Sequence, residues 1–189
     1  PVEYSFTVES LERLTAECGL ELAAPCIDIF DRAKESYFWN MEFNDPGLQE
    51  IYDSLTDIKR WYITNYLLLE KSPMLWFYLR RSDSPTPRKS ESQLAEEFLA
   101  QTFVPSDARR RVFMRDSAGE YKLLPEQNPY PGRHTKETCR SIIAAVAARP
   151  GVPMREILVD QNVELSFATV HKFRLWLTTN AFPFLRATT

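Results

Sequence analysis

Glycine is scarce in this chain of 189 residues, and the five present, Gly19, Gly47, Gly119, Gly132 and Gly151, never fall within ten residues of one another. A loop that brings backbone N–H groups onto a phosphate needs closely spaced glycines, so neither a P-loop nor a dinucleotide fingerprint is present. Histidine is scarcer still. His134 and His171 are separated by 36 intervening residues, with no HExxH pattern and no carboxylate at ligand spacing, which argues against a metal centre. The three cysteines, Cys18, Cys26 and Cys139, are odd in number and lack CxxC spacing. They read as thiols from a reducing compartment, not as a disulfide framework or a zinc site. No GxSxG elbow occurs, and no His or Cys arrangement suggests a catalytic triad.

Long apolar runs are missing too. Uncharged stretches such as 61–69 are far too short to span a bilayer, so no membrane span is expected and the reading is a cytoplasmic protein. The chain has no initiator methionine and no basic-then-apolar leader; starting at Pro1, it reads as a processed, excised or recombinant piece. Charge of one sign does not dominate overall, but it is uneven. Residues 1–81 carry 14 acidic and 8 basic side chains, a net of −6, and residues 82–189 carry 12 and 15, a net of +3. The asymmetry suggests two parts, and +3 is too small to imply nucleic acid by itself.

What is present is an ordinary globular composition, 44% hydrophobic and 26% charged, with strong local punctuation. Thr7 can cap a helix with apolar positions Val8, Leu11, Leu14 and Cys18, and Gly19 sits where a left-handed stop is usual. Residues from Leu22 to Phe30 suit a buried strand. After Pro46-Gly47, the apolar positions Leu48, Ile51, Tyr52, Leu55, Ile58 and Trp61 predict one amphipathic helix reaching towards Tyr66 or Leu69. Six apolar or aromatic residues closed by two arginines, "MLWFYLRR" at 74–81, read as another strand.

"SDSPTPRKSES", residues 82–92, is a linker by composition, and the main boundary is placed there. Next come a short helix presenting Leu94, Phe98 and Leu99, and a β-hairpin turning at Asp116 to Gly119. The last third is helical. Thr135 can cap a helix carrying Cys139, Ile142, Ile143 and Val146; Pro150-Gly151 ends it; Met154, Ile157 and Leu158 mark a second helix, and a third starts near Ser166. The predicted organisation is 1–81, an α/β segment with an aromatic-rich insertion at 31–73; 82–132, a linker with a short helix and hairpin; and 133–189, a helical module.

Candidate chemistry is limited. Asp28, Asp31 and Glu35 lie at the end of the first predicted strand, where α/β sites tend to sit, but surface carboxylates after a strand are the preferred reading. The aromatics Tyr37, Phe38, Trp39, Phe43, Trp61, Tyr62 and Tyr66 suit a packed core, a substrate-facing cap or a dimer interface. The three-helix ending resembles a helix-turn-helix or winged-helix module, with Ser166 to Leu177 as the recognition helix. Its exposed face would carry His171, Lys172 and Arg174 to meet phosphates and bases. Three such groups are a thin footprint on a heavily apolar helix, which favours packing against protein.

One family resemblance rests on the first 81 residues. "SFTVESLERLTAECGLELAAPCIDIF" followed by "SPMLWFYLRR" resembles the last part of a class I S-adenosylmethionine-dependent methyltransferase. There a helix, a glycine stop and a strand precede a final strand that returns antiparallel. The resemblance implies an α+β, helix-rich chain: the C-terminal strands and helices of a Rossmann-like methyltransferase fold, followed by a three-helix, helix-turn-helix-like module. It covers well under half the chain. The family's glycine-rich loop and the acidic residue that hold the cofactor have no counterpart here, so no catalytic or cofactor-binding residue carries over. S-adenosylmethionine is then implied for a parent enzyme and is not bound by this chain alone. The expected role is substrate recognition or assembly, with an upstream methyltransferase segment, a partner protein or a second copy as partner. The alternative is a stand-alone, non-catalytic module for protein interaction or weak nucleic-acid binding.

Overall fold

The computed structural model describes residues 6–25, 29–32, 35–67, 77–106, 113–123, 137–178 and 183–188. Among them are seven helices and eight strands, the strands in four antiparallel pairs, so the chain is mixed α+β and helix-rich. It divides into two compact units, Pro1–Gln93 and Leu94–Thr189.

Unit 1 opens with α1 (Val8–Glu17), and its start is doubly satisfied. Thr7 Oγ1 accepts from the Ser10 N–H at 3.1 Å, and Ser10 Oγ accepts from the Thr7 N–H at 2.9 Å, a reciprocal cap for two otherwise unpaired donors. The Val8 N–H donates to Asn65 Oδ1 at 3.0 Å, which ties α1 to a residue 57 positions away. Gly19, at φ +69°, ends the helix in the left-handed region that other residues rarely adopt. The expected apolar stripe is only half right. Val8 is buried, whereas Leu14 and Cys18 are exposed and Thr15 takes the inner place.

Directly after Gly19, β1 (Leu20–Pro25) pairs antiparallel with β4 (Phe77–Arg81), Leu22 opposite Leu79 and Pro25 opposite Phe77. The register slips between Leu22 and Ala24, a bulge whose Ala23 carbonyl accepts from Arg88 Nη1 at 3.5 Å. Among the described residues neither strand has a third neighbour. The strand expected from Leu22 to Phe30 is two elements: β1 stops at Pro25, and β2 (Ile29–Arg32) turns back on β3 (Glu35–Phe38) as a separate hairpin.

The single helix expected from Leu48 towards Tyr66 or Leu69 is also two, α2 (Pro46–Asp53) and α3 (Asp57–Leu67). Arg60 makes the break stable. Its Nη1 donates to the Asp53 carbonyl at 3.3 Å and to the Leu55 carbonyl at 2.7 Å, satisfying acceptors that the end of α2 leaves without helical partners. The break rotates α2, so that Tyr52 is buried while Leu48 and Ile51 are 55% and 63% exposed. Val8, Leu22, Trp39 and Trp61 form the unit's core, with Leu11, Ile58, Tyr62 and Phe77 against it. The Phe77 ring lies 5.1 Å from Trp39 and 5.3 Å from Trp61.

Unit 2 takes in most of α4 (Glu91–Ala100), whose first three residues belong to unit 1. Then come β5 (Phe103–Pro105), the hairpin of β6 (Phe113–Arg115) and β7 (Tyr121–Leu123), α5 (Glu137–Ala148), α6 (Met154–Asp160), α7 (Phe167–Thr178) and β8 (Leu185–Ala187). The β6–β7 hairpin turns through Gly119 at φ +86°, with the Asp116 carboxylate accepting from the Ala118 and Glu120 N–H groups. Pairing of β5 with β8 was not expected from sequence, because three-residue strands carry no readable alternation. Phe98, Leu99, Phe103, Cys139, Ile142, Val146, Met154, Ile157, Leu158, Val170, Leu177 and Leu185 belong to one apolar core. Thr135 lies outside the described residues.

Candidate functional site

The chemistry of unit 1 concentrates at the start of α3. Asp57 and Arg60 stand three residues apart on one helix face, Trp61 is next to them, and Thr64 follows one turn on. All four are buried. Arg60 uses five N–H donors: Nε to Asn40 Oδ1 at 3.0 Å, Nη1 to the two carbonyls at the helix break, and Nη2 to Asp57 Oδ1 at 2.6 Å and Glu91 Oε2 at 3.2 Å. No residue with fewer donors could fill this position.

Glu91 is the first residue of α4, and its carboxylate closes the cluster. Oε1 accepts from Trp61 Nε1 at 3.1 Å, and Oε2 accepts from Asn40 Nδ2 at 2.9 Å as well as from Arg60. Its own N–H donates to Asp57 Oδ2 at 3.1 Å. Arg88 reaches the same Asp57 oxygen at 2.6 Å, with its guanidinium carbon 5.6 Å from the centre of the Trp61 ring. Ser90 and Gln93 cap α4 reciprocally, through Gln93 N–H to Ser90 Oγ at 3.1 Å and Ser90 N–H to Gln93 Oε1 at 2.8 Å.

Two carboxylates thus face two guanidiniums, and the cluster is neutral. Beside it, Tyr52 Oη is 2.9 Å from Thr64 Oγ1 and accepts from the Met41 N–H at 3.1 Å, while Thr64 Oγ1 donates to the Trp39 carbonyl at 2.8 Å. Burial pushes the Tyr52 phenol above its ordinary value of 10.0, against the opposing pull of the Thr64 and Met41 hydrogen bonds. Acids and bases this fully paired and enclosed are suited to holding chain segments together, not to proton transfer with a substrate. Among the described residues no three His, Cys, Asp or Glu side chains stand together as a metal site would require.

The aromatic candidates separate. Trp39 and Trp61 are buried core residues. Phe43 is half-buried, edge-on to Tyr52 with ring centres 5.2 Å apart. Tyr62 is half-buried and donates to Glu12 Oε2, and Tyr66, 48% exposed, donates to Glu9 Oε2 at 2.6 Å; both clip α3 to α1. Tyr37 and Phe38 occupy β3, and their side chains fall outside the described part. Asp31 and Glu35 belong to the β2–β3 hairpin, and Asp28 and His134 lie outside the described residues.

In unit 2 the proposed nucleic-acid face of α7 is not an exposed one. His171 is 2% exposed, its ring stacked on Phe167 at 5.4 Å and its Nδ1 3.4 Å from Arg174 Nη2; Lys172 Nζ lies 5.9 Å from the Trp176 ring centre. Every residue from Ser166 to Thr178 is buried or half-buried. A helix seated in a groove needs side chains free to reach base edges.

Sequence reasoning missed Asn40, Asp57, Arg60, Arg88 and Glu91. The three-residue spacing of Asp57 and Arg60 on a helix was a usable signal, and so was the Ser-x-x-Gln cap that places Glu91 in a first turn. Comparison with protein-family models and with curated proteins gives no match for this chain.

Proposed function

We infer that this chain is the C-terminal substrate-recognition or assembly region of an S-adenosylmethionine-dependent methyltransferase, the end of a Rossmann-like fold followed by a winged-helix-like module, acting in the cytoplasm. The observation that carries this reading is the run of α1, the Gly19 stop, β1 and the antiparallel return of β4, the order in which such a domain ends. The described residues offer no arrangement that fits the cofactor. Their glycines are widely spaced, and the polar cluster at Arg60 is closed, so no methyl-transfer step is assigned to them. S-adenosylmethionine is held by the upstream segment of the parent enzyme.

A second reading, a stand-alone protein-interaction module, is favoured by Leu48 and Ile51, adjacent on α2 and exposed. Amide hydrogen exchange separates the two. If upstream strands complete the sheet, the β4 amides that do not face β1 become protected in protein extended upstream of Pro1, compared with residues 1–189 alone. Equal exchange in the two forms would favour the second reading.

A further inference from the structure

We propose that Thr86 is a phosphorylation site for a proline-directed protein kinase, and that Arg80 receives the phosphate. The acceptor stretch is Ser84-Pro85-Thr86-Pro87-Arg88-Lys89. A proline ring disfavours helical backbone in the residue before it and biases it towards the extended form in which a peptide enters a kinase cleft. Residues 84–90 belong to no helix or strand, and Pro85, Thr86 and Pro87 are exposed. Kinases of this class read a proline directly after the acceptor and a cation three positions on, a charge pattern that discriminates between hydroxyls. Thr86 has Lys89 at that position and Ser84 has Pro87; Ser84 is also half-buried.

The receiving side is already in place. Arg80 Nη2 donates to the Thr86 carbonyl oxygen. That oxygen and Thr86 Oγ1 are separated by only three carbons, so a phosphoryl group on Oγ1 falls within reach of the same guanidinium. The two neighbouring arginines are committed to carboxylates: Arg81 makes a two-point contact with Asp83, at 2.9 and 2.7 Å, and Arg88 holds Asp57. Arg80 Nε stands 2.8 Å from Glu21 Oε1, an ion pair whose N–H is not aligned on the oxygen. On the Thr86 side its acceptor is a neutral carbonyl, which a phosphate dianion outcompetes through stronger, charge-assisted hydrogen bonds. Phosphorylation therefore strengthens the attachment of the 82–90 connection to β4.

In the transfer, Thr86 Oγ1 attacks the γ-phosphorus of Mg-ATP bound by the kinase. The new P–O bond forms as the bond to the β,γ-bridging oxygen breaks, ADP leaves with the electron pair, and the hydroxyl proton passes to the kinase's carboxylate base. To test this, the full chain is incubated with a proline-directed serine/threonine kinase and Mg-ATP, and the product is mapped by tandem mass spectrometry. One phosphoryl group on Thr86 is expected, absent from Thr86→Val and strongly reduced in Pro87→Ala. Phosphorus NMR titration then reads the second phosphate ionisation. It should lie below the ordinary value of about 6, return towards it in Arg80→Gln, and fall further in Glu21→Gln, which keeps Arg80 and releases its competing carboxylate. No incorporation, incorporation on Ser84, or an ionisation that neither variant moves would overturn the proposal.

Discussion

Asp57 Oδ2 accepts a hydrogen bond from the backbone N–H of Glu91 at 3.1 Å, across 34 residues of chain. The same carboxylate holds Arg60 and Arg88, each at 2.6 Å. One side chain therefore fixes the start of α3, the proline-rich connection and the first turn of α4. Removing it in Asp57→Ala leaves two guanidiniums and an N–H without their acceptor, and the expected loss is about 3–5 kcal/mol. Asp57→Asn keeps an oxygen for the N–H and should lose less. Urea unfolding followed by the fluorescence of the buried Trp39 and Trp61 measures both. A loss for Asp57→Ala under about 1 kcal/mol, the range of an exposed ion pair, would contradict this role.

Arg60→Lys is not a conservative change here. Lysine offers three donors where five acceptors wait, and it cannot serve both the carbonyls at the α2–α3 break and the two carboxylates. At least about 2 kcal/mol should be lost, from buried acceptors left unpaired. Arg60→Met should lose more, because it also removes the cation that Asp57 and Glu91 share. An Arg60→Lys protein as stable as the parent chain would mean that the fork geometry does not matter.

Much of the local architecture was legible because its signals are short-range. Thr7 as a cap, Gly19 as a stop, the Gly119 turn and the buried faces of α5 and α6 each follow from a few adjacent residues. The misreadings have long-range causes. One helix was expected through residues 54–56 because Leu48, Ile51, Leu55 and Ile58 keep helical spacing, yet Arg60 satisfies the carbonyls that a continuous helix would have used. His171 was placed on an exposed face by the pattern of cations around it; in the fold its ring stacks on Phe167 and is buried. The cluster at Arg60 joins residues from 40 to 91, and charged residues at that separation carry no periodic signature.

Tyr52 makes stability sensitive to alkaline pH. Burial raises its phenol above 10.0, so the folded state favours the protonated form. Its contribution is complete below about pH 10, the unfolded value, and is lost as pH rises through the raised folded value. Tyr52→Phe should cost about 1–3 kcal/mol at neutral pH by leaving the Met41 N–H without its acceptor, and it should flatten the alkaline loss. Urea midpoints measured across this range for both proteins test the assignment; an unchanged alkaline slope in Tyr52→Phe would refute it.

Tyr66 titrates for a different reason. Its hydroxyl donates to the Glu9 carboxylate, and that hydrogen bond, more than desolvation or charge, raises the phenol above its ordinary value. Ultraviolet-difference titration should show Tyr66 ionising at lower pH in Glu9→Gln than in the parent chain. Identical titration curves would place the cause elsewhere.

The methyltransferase reading meets its most direct test in calorimetric titration with S-adenosylmethionine. The cofactor should bind protein that carries the segment upstream of Pro1, with residues 1–189 alone giving no heat of binding. Absence of binding to the longer protein, or binding to residues 1–189 by themselves, would contradict it.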